Sequence, residues 1–213
     1  MFIWEQRSSR VGLVNEAFFP TYRDSRRRVD IEMVTNGMPG IDESIPFAPV
    51  HIAVLTVSDT RGEEEDRSGP ILASRATGAG HKVVRRERAT DDRAAIEARL
   101  RAFIDDPQVD VVISTGGTGV TGRDVTPEAF RAVYDKEIEG FGELFRAISF
   151  KHVGVSTIQS RATAGVAKGK YLFALPGSPG ACKDAWDEIL VYQLDIRYRP
   201  CNFVELMPRL KEK

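Results

Sequence analysis

A cluster of glycine, threonine and aspartate at positions 113–129, ISTGGTGVTGRDVTPEA, is the segment of this sequence best suited to chemistry. Glycine costs conformational entropy wherever it is ordered, so such a cluster indicates backbone that turns sharply or lies against a ligand. Backbone N–H groups here can converge on phosphate oxygens, and threonine hydroxyls add further donors. The pattern matches neither a Walker loop nor the dinucleotide fingerprint, and a tight strand-to-helix turn is the alternative. The candidate anion-binding residues are Thr115, Gly116, Gly117, Thr118 and Gly119.

Asp124 lies five residues after Gly119 and two before Thr126. Beside a phosphate loop, a carboxylate can hold Mg²⁺, which proteins bind through one or two carboxylates together with substrate phosphates. The same carboxylate could instead complement the positive end of a helix that begins near Thr126. The spacing alone favours neither interpretation.

A second loop, LPGSPGACKD at 175–184, ends an apolar run and begins an expected helix at Ser178. The first turn of that helix carries no acid, so its N-terminus is able to receive an anion. An ordinary turn between a strand and a helix is the alternative. The candidate residues of this loop are Pro176, Gly177, Ser178 and Pro179. The loop at 175–184 can bind an anion, and the acids near Asp124 can bind a cation. Together they indicate that the ligand is a phosphate in complex with a metal ion.

Further acidic residues fall at the predicted ends of strands or the starts of helices. Ser58 and Asp59 close the first strand, and Asp91 opens a helix, where an ordinary first-turn acid is the alternative. Glu143 follows a glycine-rich helix start, so packing and ligand contact are both open there. The acidic run 63–66 is typical of a solvated loop. Cys182 and the three histidines are predicted to be core or surface residues without chemistry.

These loops require a scaffold in which strands alternate with helices. Strands are predicted at 50–58, 81–89 (near an edge), 109–115, 164–167 and 170–175, and helices at 68–79, 90–105, 126–135, 141–150 and 178–193. Thr90, Thr126 and Ser178 are the expected N-caps. The alternation predicts a mostly parallel sheet with helices on both faces, and a hairpin at Lys168-Gly169 makes one strand antiparallel. In open sheets of this kind ligands bind beyond the carboxyl ends of the strands.

Composition excludes several classes of function. The 213 residues include 30 Lys+Arg and 31 Asp+Glu, for a formal charge of −1, so no bulk attraction to nucleic acid or an anionic membrane is expected. No apolar run approaches the roughly 20 residues of a membrane span. Two cysteines and scattered histidines predict a reduced, cytoplasmic protein without a structural metal site.

Residues 1–45 show no periodicity and are predicted to be a poorly ordered extension. A translation start later in the sequence is the alternative. Residues 46–213 are predicted to form the domain.

The motifs together resemble the molybdopterin-binding family of molybdenum cofactor biosynthesis, which includes MogA, MoaB and the G domain of gephyrin. The matching stretches are TVSDTR (56–61), EDRSGP (65–70), TGGTG with RDVTPEA (123–129), GFGELFR (140–146), STIQSRATAGVA (156–167) and LPGSPGA (175–181). SDTR, QSRA and the C-terminal RPCNF (199–203) are similar to the MoaB branch. The likeness extends from about Gly40 to the C-terminus.

The resemblance implies a three-layer α/β/α sandwich that binds molybdopterin, an anionic pterin dithiolene with a terminal phosphate. In MogA-like members, Mg²⁺-ATP reacts with that phosphate to give adenylylated molybdopterin and pyrophosphate. When the roles known in the family are applied to the matching residues of this chain, the two glycine loops are expected to line the pterin-phosphate site. Asp124 and Asp91 become catalytic metal-binding residues, and Ser58, Asp59 and Glu143 lie on the nucleotide side. Relatives have Pro-Asp where this chain has Thr90-Asp91, which weakens the assignment of Asp91.

Three functions follow as alternatives from these observations: a molybdopterin adenylyltransferase, a non-catalytic molybdopterin-binding protein, and a nucleotide-binding regulatory domain. The chain has no recognisable effector segment, which disfavours the third. The family resemblance also implies a homo-oligomer, a trimer or a hexamer. Other proteins of molybdenum cofactor biosynthesis are further candidate partners.

Overall fold

A six-stranded mixed sheet forms the centre of the computed structural model, which describes residues 39–59 and 63–212. Its strands are β2 (His51–Val57), β3 (Lys82–Ala89), β4 (Val111–Thr115), β5 (Lys136–Glu137), β6 (Thr163–Ala167) and β7 (Lys170–Leu175). They lie in the order β3-β2-β4-β7-β6-β5. The first four are parallel to one another, and β6 is antiparallel to both of its neighbours. The predicted hairpin is confirmed, with Lys168 and Gly169 at positive φ between β6 and β7.

The helices cover both faces of this sheet. They are α1 (Ser68–Gly78), α2 (Arg93–Asp105), α3 (Thr126–Arg131), α4 (Glu139–Val153), α5 (Pro179–Ala185), α6 (Val191–Gln193) and α7 (Phe203–Leu206). One core cluster contains side chains of α1, α4 and α5, and the other contains those of α2 and α3. Successive residues of a strand point to opposite faces, so β2, β4 and β7 contribute to both clusters and are mostly apolar. The predicted three-layer α/β/α sandwich is therefore confirmed.

Two of the three predicted helix caps are wrong. Asp92, and not Thr90, caps α2, because its carboxylate accepts from the N–H of Ala95 at 2.8 Å. Thr126 is the first residue of α3 and not its cap. Ser178 does cap α5, accepting from Ala181 N–H at 3.2 Å. The single helix predicted from there to Gln193 is interrupted by a π-helical turn at Trp186–Leu190.

Residues 1–38 of the predicted extension lie outside the described residues. Its last part belongs to the fold, because β1 (Gly40–Ile41) pairs antiparallel with β8 (Tyr198–Arg199). The Asp42 N–H also donates to Arg197 O at 2.9 Å. The ordered domain therefore includes residues before position 46, which the lack of sequence periodicity did not predict.

A buried histidine makes the stability of this fold depend on pH. His81 is 4% exposed, and its Nδ1 accepts from the N–H of Val50 at 3.3 Å. Burial lowers the pKa of His81 below its ordinary value of 6.5, although Asp195 opposes the effect. The unfolded chain therefore binds the proton more readily than the folded one, so stability is full above pH 6.5 and falls as the pH decreases.

We expect the free energy of unfolding to decrease below pH 6.5 by up to about 1.4 kcal/mol per pH unit from this residue. His81→Gln keeps an acceptor for Val50 but does not titrate, so urea denaturation between pH 7 and pH 5 should show a shallower decrease in the variant. Equal slopes for variant and parent would show that His81 does not cause the dependence.

Candidate functional site

The two glycine loops predicted from the sequence lie in direct contact at the carboxyl ends of β4 and β7. The Gly116 N–H donates to Leu175 O at 3.0 Å, and Thr115 Oγ1 donates to Pro176 O at 2.9 Å. A Cβ added to Gly177 would lie only 3.3 Å from Gly116 Cα. Because β4 and β7 are adjacent and parallel, their loops emerge side by side. The prediction that both loops occupy one edge of the sheet is confirmed.

Gly116 and Gly117 occupy positions that only glycine fits without strain. Gly116 has φ +112°, and a Cβ there would lie 2.0 Å from Val57 O, a backbone atom at the end of β2. Gly117 has φ +63°, and its Cβ would lie 2.4 Å from Thr126 Oγ1. The loop therefore fits tightly between the end of β2 and the start of α3, and its conformation is fixed by this packing.

Two adjoining cavities open at this edge. The larger, of about 560 Å³, extends toward the end of α4, and the smaller, of about 370 Å³, extends toward the end of β2 and the start of α1. Of the predicted residues, Thr118, Gly119 and Pro176 line the larger cavity, and Ser58, Asp91, Thr115, Gly116 and Pro179 line the smaller. Both cavities are lined by Gly117, Asp124, Gly177 and Ser178. These four residues form the shared rim of the site.

Asp124 faces the shared rim and also holds its own loop together. Its Oδ2 accepts from the N–H of Thr121 at 2.8 Å and from the Thr121 hydroxyl at 2.6 Å. Burial raises the pKa of Asp124, but these bonds, a further one from the N–H of Gly119 and the charge of Arg161 outweigh it and hold the pKa below its usual value. The carboxylate is therefore ionised at neutral pH.

An acidic corner, formed by Asp59 and Asp91, lies beside the smaller cavity. The Asp59 N–H donates to Asp91 Oδ2 at 2.8 Å, and the Asp91 N–H donates to Asp59 Oδ1 at 2.6 Å. This reciprocal pair joins the end of β2 to the loop after β3. Asp91 lines the smaller cavity directly, whereas Asp59 contributes through its bonds to Asp91.

Asp66 is a residue of the site that the sequence interpretation missed. The acidic run 63–66 is typical of a solvated loop, yet Asp66 lines the smaller cavity and accepts from Thr56 Oγ1 at 2.7 Å. It also accepts from the N–H groups of Ser68 and Gly69, and so satisfies the N-terminus of α1. The Ser68 hydroxyl in turn donates to Gly177 O at 3.0 Å. The EDRSGP motif was the available signal.

Arg161 positions the TGGTG loop and was also missed. Its Nε donates to Gly119 O at 2.6 Å, and its other nitrogens contact Asp124 O and the Glu128 carboxylate. The Arg161 N–H donates to Thr118 O at 3.0 Å. One guanidinium thus fixes both ends of the segment 119–124. The QSRA stretch was the signal for it.

Glu143 is not brought to either cavity of the site. It lies in the first half of α4, which follows β5 at the far edge of the sheet, and it lines a different cavity together with Arg131 and Arg146. The strand order separates it from Ser58 and Asp91. Glu143 therefore lies apart from Ser58 and Asp91, with which the family resemblance grouped it.

Cys182 and His152, for which the sequence predicts no chemistry, occupy different positions: one lies in the core and the other borders the site. Cys182 is fully buried beneath the loops, and burial raises the pKa of its thiol to about 11, so it is protonated at neutral pH. His152 instead lines the larger cavity, with Nε2 3.9 Å from Asp184 Oδ1. Cys182 is thus a core residue as predicted, and His152 borders the site.

A comparison with known families agrees with this fold and site. Residues 53–196 match the family model described as a probable molybdopterin binding domain. That range contains most of β2, both glycine loops and every lining residue of the two cavities. The chain belongs to this family of molybdopterin-binding domains, as the motifs predicted.

Individual relatives point to one branch of the family. The chain is 51% identical over 169 residues to molybdenum cofactor biosynthesis protein B of Escherichia coli (strain K12), which covers 79% of this chain and 98% of the relative. A crystal structure of a molybdenum cofactor biosynthesis protein B superposes with a TM-score of 0.70 at 40% identity, covering 78% of this chain and 98% of that one. The tungsten cofactor synthesizing protein MoaB from Pyrococcus furiosus gives 0.62 at 38%, covering 67% and 91%. The likeness to MoaB proteins thus extends over nearly their whole length.

Proposed function

We propose that this protein acts in molybdenum cofactor biosynthesis, where it binds molybdopterin in the larger cavity and adenylylates its terminal phosphate with Mg-ATP bound in the smaller one. The observation that carries the proposal is the shared rim. Because Gly117, Asp124, Gly177 and Ser178 line both cavities, two anionic ligands can meet there. The N-terminus of α5, free of acids in its first turn, supports a phosphate at this place.

The reaction needs positioning and charge stabilisation rather than a protein nucleophile. A molybdopterin phosphate oxygen forms a bond to the α-phosphorus of ATP, the bond from that phosphorus to the bridging oxygen breaks, and pyrophosphate leaves. The glycine N–H groups of the rim would orient the attacking phosphate. Donors that are already in place when charge develops lower the barrier without reorganisation. The protonated Cys182 thiol and the buried hydroxyl of Thr115 are structural in this scheme.

The smaller cavity offers oxygen ligands that fit Mg²⁺. Asp91 and Asp124 both line it. Thr126 Oγ1 has no hydrogen-bond partner among the described residues, and a Cβ added to Gly117 would lie 2.4 Å from it and 3.2 Å from Asp91 Oδ1. Residues 39–59 and 63–212 contain no group of three or more metal-ligating side chains. Mg²⁺ would therefore bind as the nucleotide complex, with phosphates and water completing its ligands, and would neutralise charge on the transferring phosphate.

A non-catalytic molybdopterin-binding protein is the second candidate, and one observation favours it. The Asp124 carboxylate already accepts three hydrogen bonds from its own loop. A carboxylate whose oxygens already accept these bonds could have the single role of shaping the larger cavity, without binding Mg²⁺. The two candidates differ in the reaction and not in the ligand.

Pyrophosphate release from the purified protein, given molybdopterin and Mg-ATP, separates the two candidates. We expect release that requires all three components. Binding of molybdopterin without any release would support the non-catalytic candidate. A thermal shift caused by nucleotide but not by molybdopterin would contradict both and indicate a nucleotide-binding domain.

We also propose that the protein is a homo-oligomer, a trimer or hexamer as the family resemblance implies. Five of the nine exposed large apolar side chains among the described residues fall within positions 144–158, including Val155 and Ile158, the latter 81% exposed. Contiguous exposed apolar surface is typical of an interface. Sedimentation at micromolar concentration should give a trimer or hexamer mass, and a monomer would contradict the proposal.

No helix in residues 39–59 or 63–212 has the length and apolar character needed to cross a membrane.

A further inference from the structure

Four aspartates line the two cavities, and the carboxylate of one of them has no hydrogen-bond donor. Asp66, Asp91 and Asp124 each accept from a backbone N–H, at 2.8 to 3.1 Å. The Asp184 carboxylate lines the larger cavity and accepts no hydrogen bond from residues 39–59 or 63–212. Asp184 is therefore the acceptor that the fold of the site leaves unused.

The surroundings of Asp184 make this lack of a donor unfavourable. Its side chain is only 20% exposed. The one ion-pairing group within 4 Å of it in the described part of the chain is His152 Nε2, at 3.9 Å, which is too long for a hydrogen bond. A polar group that is largely removed from water without a partner loses free energy. A ligand that donates hydrogen bonds to Asp184 would recover that free energy.

Asp184 lies on the same helix as one residue of the shared rim. Ser178 caps α5, and Asp184 follows six residues later. At 1.5 Å per residue, this separation is about 9 Å along the helix axis. Ser178, Ala181 and Asp184 all line the larger cavity, with the spacing of three residues that keeps side chains on one face of a helix. A ligand in this cavity can therefore contact the rim with one end and Asp184 with the other.

The pyrimidine ring of a pterin has the donors that such an acceptor requires. Its N3–H and its 2-amino group lie side by side and point the same way, as two N–H groups of an arginine guanidinium do. They can therefore donate to both oxygens of one carboxylate. The phosphate of molybdopterin is attached at the opposite end of the ring system. With that phosphate at the shared rim, the two donors would point toward Asp184.

We propose that Asp184 selects the pterin by accepting from its N3–H and its 2-amino group, so that the larger cavity rejects a ring with a carbonyl in place of the amino group. This inference rests on the proposed function, because it places the molybdopterin phosphate at the shared rim. Asp184 does not line the smaller cavity, in which the nucleotide is proposed to bind. It therefore acts on the choice of ligand and not on the transfer step.

Calorimetric titration with 6-hydroxymethylpterin phosphate and with 6-hydroxymethyllumazine phosphate tests the proposal. The lumazine has a carbonyl oxygen at position 2 of the ring, where the pterin has the amino group. The parent protein should bind the pterin about 30-fold or more tightly, because the lumazine loses one donor and places an oxygen against the carboxylate. In Asp184→Asn the ratio should fall below about 3-fold, because the amide offers one acceptor and one donor, which match the lumazine N3–H and carbonyl.

Glu188→Gln is the matched control, since it removes the same charge four residues further along the chain. Glu188 is exposed and lines neither cavity of the site. The control should keep the parent's ratio within about 2-fold, because solvent and salt screen an exposed charge. The readout is a ratio of two affinities in each protein, so a general loss of affinity in a variant does not change it.

Equal affinities of the parent for the two compounds would overturn the inference but leave the proposed function in place. An unchanged ratio in Asp184→Asn, or an equal loss of preference in Glu188→Gln, would also overturn the inference alone. Binding of neither compound by the parent would contradict the inference and the proposed function together. A protein that shows the Asp184-dependent preference but releases no pyrophosphate would refute the transferase and retain the selection of the pterin.

Discussion

Replacing Asp124 by asparagine is expected to reduce adenylyl transfer by about 100-fold or more while molybdopterin affinity stays within about 3-fold of the parent. The change removes a full negative charge from the shared rim, where cation and transferring phosphate are proposed to meet, and losses of this size follow from removing a single preorganised electrostatic group. The asparagine side-chain oxygen can still accept from the Thr121 N–H, so the loop should keep its conformation. Single-turnover formation of adenylylated molybdopterin and equilibrium binding of molybdopterin measure the two effects separately.

Thr121→Val is the matched control for this substitution. It removes the hydroxyl that donates to Asp124 Oδ2 at 2.6 Å but leaves the carboxylate charged and the backbone bond intact. We expect it to slow transfer by less than about 10-fold. If it slows transfer as much as Asp124→Asn does, Asp124 acts through the shape of its loop. Equal transfer by Asp124→Asn and the parent would remove Asp124 from the mechanism altogether.

Gly116→Ala is expected to lower the free energy of unfolding by about 3–5 kcal/mol. A residue other than glycine at φ +112° is strained by itself, at a cost of about 1–3 kcal/mol. The added Cβ would also lie 2.0 Å from Val57 O. That oxygen belongs to the end of β2, which is paired with β3 on one side and β4 on the other, so it cannot move away without disturbing the pairing on both sides. Urea denaturation with an unchanged m-value would report the loss.

Gly140→Ala controls for the general effect of removing a glycine. Gly140 lies in the first turn of α4, and apart from its chain neighbours and the backbone of its own helix no described atom comes within 4 Å of its added Cβ. The change should alter stability by at most about 1 kcal/mol, in the stabilising direction, because alanine favours the helix. A Gly116→Ala protein as stable as this control would mean that the loop after β4 does not pass against β2 as described.

Local pattern was enough to predict most of the scaffold. The run 50–58 is apolar at every position of its centre, which requires burial on both faces, and β2 (His51–Val57) is indeed covered by helices on each side. Lys168-Gly169 between two short strands predicted the one antiparallel strand. The Ser178-Pro179 pair predicted the start of α5.

Helix caps were less predictable because neighbouring polar residues compete for the same backbone donors. Thr90, Asp91 and Asp92 are all capable caps. The structure uses Asp92 for α2 and diverts Asp91 to the reciprocal pair with Asp59. That choice depends on Asp59, just after the end of β2, which lies 32 residues from Asp91 in sequence.

The sequence by itself determined the elements, the two glycine loops and, through its motifs, the family. These properties depend on residues close together along the chain, whose backbone preferences and apolar periodicity act locally. Only the tertiary structure decided which side chains share a cavity. The order β3-β2-β4-β7-β6-β5 brings Asp66 and Asp91 to the smaller cavity, joins Arg161 to the TGGTG loop, and leaves Glu143 at the far edge. Strand order is set by the packing of the whole sheet, and no single segment encodes it.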